Sequence, residues 1–176
     1  MWYSEVFKAH KIILASQFPV FKKMLEVDMK EKQEGVITIS DIDTEVVSEM
    51  LTFIYTGSAP NINVWAKELL NVANKYQFPR LMVMCKDELK KEINIENVIE
   101  ILQLADSHRV KELKKECMEF IKWNYTKVYE TTGWKDLKGN AISLFADTSE
   151  YMCNNSIEKK VVEECAPIIC STNIVY

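Results

Sequence analysis

Phe7-Lys8-Ala9-His10-Lys11, Gly35-Val36-Ile37-Thr38-Ile39 and Phe53-Ile54-Tyr55-Thr56-Gly57 punctuate the stretch whose reading decides the fold. Between the first two runs, Ile12, Ile13, Leu14, Phe18, Phe21, Met24 and Leu25 recur at mixed three- and four-residue spacing, the period of a helix with one apolar face. Pro19 divides that pattern, because it disfavours helix at Phe18 and suits the first position of a new one. The charged segment from Asp28 to Glu34 reads as a solvated helix end and loop, and Gly35 supplies a turn. Val36-Ile37-Thr38-Ile39 is β-branched throughout and predicts a strand. The alternation in Glu5-Val6-Phe7-Lys8 predicts the end of another. Asp43 is placed to cap a helix from Thr44 whose apolar set is Val46, Val47, Met50, Leu51, Phe53 and Ile54. Gly57 ends that helix, and Pro60 blocks its continuation.

Outward from this stretch the pattern is helical from Trp65. Leu70, Ala73, Tyr76, Leu81, Cys85 and Leu89 are echoed by Leu102, Ala105, His108, Leu113, Cys117 and Ile121 at a constant offset of 32 residues. Each copy reads as a helix, a short turn and a second helix, the form taken by stacked helical pairs. The helix from Lys111 runs through Phe120, Ile121 and Trp123 and loosens around Thr131-Thr132-Gly133. Beyond Lys138 the signal weakens. Ile142, Leu144 and Phe145 start another helix, and Ile157, Val161 and Val162 suit a short one. Two predicted strands form only a marginal sheet in water, so a further strand is expected from a partner or from sequence ahead of Met1.

Composition narrows the function. Of 176 residues, 48% are hydrophobic and 27% charged, the balance of a globular protein. The net charge of −4 argues against a nucleic-acid surface, which needs a basic patch. No apolar run reaches the roughly 20 residues that cross a bilayer. Met1-Trp2-Tyr3-Ser4-Glu5 lacks the basic start of a signal peptide, so the expected address is intracellular, nuclear or cytoplasmic. Five cysteines in irregular spacing do not make a disulfide framework, and Cys85 and Cys117 fall on apolar helix faces as small hydrophobes.

No catalytic constellation is present in the sequence. His10 reads as a polar cap between strand and helix, and His108 as a residue of a helix–helix turn, each without the nucleophile and orienting group that a catalytic base needs. Cys153, Cys165 and Cys170 lack the paired spacing of a zinc knuckle. No Gly-rich phosphate loop or nucleophile elbow appears. The expectation is a protein with no cofactor, no metal and no catalytic residues.

The ordered set Ala9-His10-Lys11-Ile12-Ile13-Leu14-Ala15, Pro19-Val20-Phe21, Phe53-Ile54-Tyr55-Thr56-Gly57 and Ala59-Pro60-Asn61 resembles the BTB/POZ domain of speckle-type POZ proteins. The likeness continues through Lys75-Tyr76, Val83-Met84-Cys85, Ile95-Glu96-Asn97, Glu100-Ile101-Leu102 and Leu104-Ala105-Asp106 to Glu130-Thr131-Thr132-Gly133-Trp134-Lys135. It covers roughly residues 5–138, and the part from about Ile95 resembles the BACK helices of the same adaptors. Nothing resembles the MATH substrate domain, and the first helix and strand of the BTB domain have no counterpart, so the likeness is to an N-terminally truncated member. The family's basic C-terminal tail is also missing.

The resemblance implies an α+β fold class: a BTB/POZ-like helical domain with a small sheet, incomplete at its N-terminus, then all-α BACK-like helical pairs. The expected domains are 1–93, 94–138 and a divergent tail at 139–176, helical or partly disordered. It implies a non-catalytic adaptor of a cullin-three ubiquitin ligase. The cullin contact would fall on Met29-Lys30-Glu31, with Met29 and Glu31 as the key side chains and Met24 and Leu25 on the helix before them. Ile13 matches a position of the family's dimer interface, which implies homo- or heterodimers with BTB proteins. No nucleic acid and no membrane are expected as partners. The alternative is a BTB oligomerisation scaffold in transcriptional regulation that does not bind cullin.

Overall fold

A computed structural model describes residues 6–26 and 35–154. The chain divides between Glu92 and Ile93 into two compact units. The first begins with a helical hairpin, α1 (Lys11–Gln17) and α2 (Pro19–Glu26). Phe18 between them is extended, with φ −126° and ψ 109°, as expected of a residue that precedes proline. Three longer helices follow: α3 (Thr44–Thr56), α4 (Ile62–Lys75) and α5 (Pro79–Glu92). Gly57 takes the left-handed conformation at φ 72° and donates its N–H to Phe53 at 2.8 Å, closing α3 where the sequence placed its end.

Aromatic rings join these helices. Phe78, in the turn between α4 and α5, lies 4.3 Å from Phe18 and 6.3 Å from Phe53, centroid to centroid. Phe21 stacks on Tyr76 at 4.9 Å. Such pairs add about 0.5–1.5 kcal/mol each beyond the area they bury, so the turn at 76–78 is the hub against which the hairpin packs. Glu49 is buried in α3, and its two carboxylate oxygens accept the Asn61 N–H at 2.7 Å and the Asn61 side-chain amide at 3.0 Å. That pair fixes the start of α4. Asp43 occupies the cap position of α3, but its side chain makes no cap bond; its carbonyl accepts from Val47 instead.

The small sheet of the expected α+β class is not there: the described residues contain no strand, and both domains are helical. Val36–Ile39 and Val6–Phe7 carry no ladder, and Val6 and Val36 are exposed. β-Branched residues fit a pleated surface once a neighbouring strand supplies one, and propensity alone does not create it.

The second unit contains α6 (Val98–Ser107), α7 (Lys111–Trp123), the short α8 (Tyr125–Val128), α9 (Thr132–Asn140) and α10 (142–154). The expected loosening at Thr131-Thr132-Gly133 is instead a helix start. The Thr131 hydroxyl accepts from the Trp134 N–H at 3.3 Å. Gly133 is there for proximity, since a Cβ on it would sit 3.2 Å from the Ile99 Cβ. Lys114 ties three helices of this unit together by pairing with Asp106 at 2.6 Å and Asp147 at 2.9 Å. The short helix expected from Ile157, Val161 and Val162 lies outside the described residues.

The internal echo is real down to its hydrogen bonds. The Phe78 N–H donates to Ala73 at 2.8 Å, and the Val110 N–H donates to Ala105 at 2.8 Å. The intervening residues, Gln77 and Arg109, have φ of 59° and 57°. Each copy therefore ends its first helix with the same left-handed cap, and the next helix begins directly after it.

Candidate protein-interaction surface

Of the anticipated contact residues, Ile13, Met24 and Leu25 lie on α1 and α2. Met29 and Glu31 fall outside the described residues, as does Lys30 between them. Met24 is half-buried on α2, and Leu25 is 5% exposed, facing the core. Leu25 thus anchors the end of α2, while Met24 retains free surface at the same end. On α1, Leu14 is buried, Ile13 is half-buried and Ile12 is 83% exposed. Isolated apolar side chains are ordinary on a protein surface, so Ile12 alone does not define a binding face. Ile12 was legible only as one more apolar position, because the periodicity did not say which of three consecutive residues turns outward.

His10 is held by a residue 45 positions away. Its N–H donates to the Tyr55 hydroxyl at 2.8 Å, and its Nδ1 lies 2.9 Å from the same oxygen. His10 is the cap residue of α1, as the sequence suggested, through its carbonyl, which accepts from Ile13 and Leu14, while the ring is turned to Tyr55. The bond ties the entry of α1 to the end of α3.

Among the described residues of this unit, two depressions bear on binding. The first, about 150 Å³, lies between the 41–46 turn and α4 and has Asp41, Asp43, Glu68 and Lys75 on its walls. Lys75 reaches Asp41 at 2.7 Å there, and this bond holds the Asp41 carboxyl below its usual range. The pair is mostly exposed and contributes little to stability. The second, about 340 Å³, is lined by Phe18, Phe53, Tyr55, Phe78, Pro79 and Arg80 among others.

The two buried thiols serve packing. Burial pushes the Cys85 and Cys117 thiols up to about 12, which keeps them protonated and unreactive. Partial burial lowers the His108 pKa. Among the described residues no three His, Cys, Asp or Glu side chains are grouped to hold a metal, and no helix is long and apolar enough to cross a membrane. Cys153 is exposed, whereas Cys165 and Cys170 lie outside the described residues. What the described geometry offers chemically is apolar and charged surface on rigid helices, suited to gripping another protein.

Comparison with known families matches both units. The model of the BTB/POZ domain matches residues 2–93. The model of the BPM/SPOP BACK domain matches residues 97–148.

Proposed function

Because this chain belongs to the BTB/POZ family and carries a BACK domain of the BPM/SPOP type, it is a protein-interaction adaptor module, and we propose that it recruits a cullin-three ubiquitin ligase through the end of α2 and the segment that follows. The observation that carries this reading is the pairing of the two matched domains in one chain, in the order such adaptors use. Met24 presents apolar surface at the end of α2, and Leu25 locks that end to the core. Met29 supplies a flexible apolar side chain to a groove on the cullin. Glu31 sets the register of the complex by a charge-assisted hydrogen bond. Ile13, with the bare Ile12 beside it, forms part of a contact with a second BTB protein, as a homodimer or heterodimer. Ubiquitin transfer is performed by the recruited ligase, and this chain contributes no reacting group.

Size-exclusion chromatography of the full chain mixed with the N-terminal domain of cullin-three tests the proposal. Co-elution in one peak is expected. Separate elution of a chain that keeps its helical circular dichroism overturns it, and binding to a corepressor in its place would assign the chain to transcriptional scaffolding.

A further inference from the structure

We propose that the groove between the start of α2, the end of α3 and the start of α5 is a docking site for an acidic peptide in which a bulky apolar side chain stands next to a carboxylate. Its floor is aromatic: Phe18 and Phe53 keep 8% and 5% of their surface exposed over a fully buried Phe78. Its walls are Tyr55, Pro79 and Arg80. The volume of about 340 Å³ suits one large side chain with part of its backbone.

The charge around this space is one-sided. Arg80 is the one charged residue in the lining, and its guanidinium has neither a hydrogen bond nor an ion pair among the described residues. The other depression, by contrast, carries carboxylates that already answer its lysine. Arg80 is also placed with care. It crosses Gly57, where even a Cβ would come within 3.3 Å of its Nη1. A guanidinium presents a planar fork that matches a carboxylate with two parallel hydrogen bonds. Tyr55 in the same lining is held by a bond within the chain, its hydroxyl accepting from the His10 N–H at 2.8 Å. Fixed walls reduce the ordering cost of binding. The groove lining includes neither Met24 nor Leu25, so this site stands or falls independently of the cullin reading.

The test uses the full chain and three fluorescein-labelled hexapeptides followed by anisotropy: Ser-Gly-Trp-Glu-Gly-Ser, the same peptide with Lys in place of Glu, and the same peptide with Ala in place of Trp. The Trp-Glu peptide is expected to bind about tenfold more tightly than either control. Arg80→Glu, at an exposed position, should retain the fold and reverse the preference between the Glu and Lys peptides. Equal binding of the three peptides, no binding of any, or a preference unchanged by Arg80→Glu overturns the proposal. Peptide binding that disappears as the chain is concentrated assigns the groove to a second copy of the chain and overturns it as well.

Discussion

Gln77 and Arg109 hold the same left-handed backbone, φ 59° and 57°, at equivalent places in two helical pairs offset by 32 residues. Neither is the glycine that such a position favours. A side chain in this conformation costs about 1–2 kcal/mol, which the surrounding turn offsets through the Phe78 and Val110 N–H bonds. Gln77→Val and Arg109→Val should each lower stability by about 1–2 kcal/mol, because a β-branched residue tolerates this backbone least. Gln77→Gly and Arg109→Gly should match or slightly exceed the parent. Urea unfolding of the four variants gives the comparison, and valine variants as stable as the glycine ones would show that the backbone there is not strained.

Gly133 and Gly139 lie in the same helix, α9, and should respond oppositely to alanine. Gly139 has nothing within 4 Å of an added Cβ, so Gly139→Ala should gain about 0.5–1 kcal/mol from helix propensity. Gly133→Ala presses a methyl group against Ile99 and should lose about 1–3 kcal/mol. Thermal melts of the two variants decide it; a stabilising Gly133→Ala would mean that Ile99 moves aside freely.

Glu49 is the one buried carboxylate named among the described core residues, and both its oxygens are occupied by Asn61. Glu49→Ala leaves the Asn61 N–H without its partner at the head of α4. A loss of about 1.5–3 kcal/mol is expected, the worth of hydrogen bonds to a charged group. Hydrogen exchange should show the first turn of α4 opening faster, and unchanged exchange there would remove Glu49 from this role.

The two buried thiols give a pH signature. Cys85 and Cys117 ionise at about 12 in the folded chain against 9.0 ordinarily, because burial penalises the thiolate. Their contribution to stability is complete below pH 9 and declines as pH rises towards 12, since the unfolded chain releases those protons first. Iodoacetamide at neutral pH, read residue by residue by mass spectrometry, should modify the exposed Cys153 readily and leave Cys85 and Cys117 untouched until urea is added. Rapid labelling of either buried thiol in the folded chain would contradict the packing described for it.

Local chemistry made much of this fold legible. Pro19 opens α2, Gly57 closes α3, and the 32-residue echo marks two equivalent helix–turn–helix units, all from signals carried by a few neighbouring residues. Strand pairing is not local, so the β-branched run at Val36–Ile39 promised a sheet that no neighbouring segment completes among the described residues. The close approach at Gly133 was not legible, because a glycine looks alike whether it breaks a helix or lets two helices approach. The interaction surface divides the same way. The hairpin that carries Ile13, Met24 and Leu25 was readable from its apolar period. The His10–Tyr55 bond spans 45 positions, and Arg80 over Gly57 depends on how two helices meet, so neither left a trace in the sequence.

Calorimetric titration of the folded full chain with the N-terminal domain of cullin-three tests the central claim most directly, with Met29→Asp and Glu31→Lys run in parallel. The account predicts saturable binding by the parent chain and a weakening of about 1–3 kcal/mol in each variant. A parent chain that is folded and does not bind, or two variants that bind as well as the parent, would contradict it.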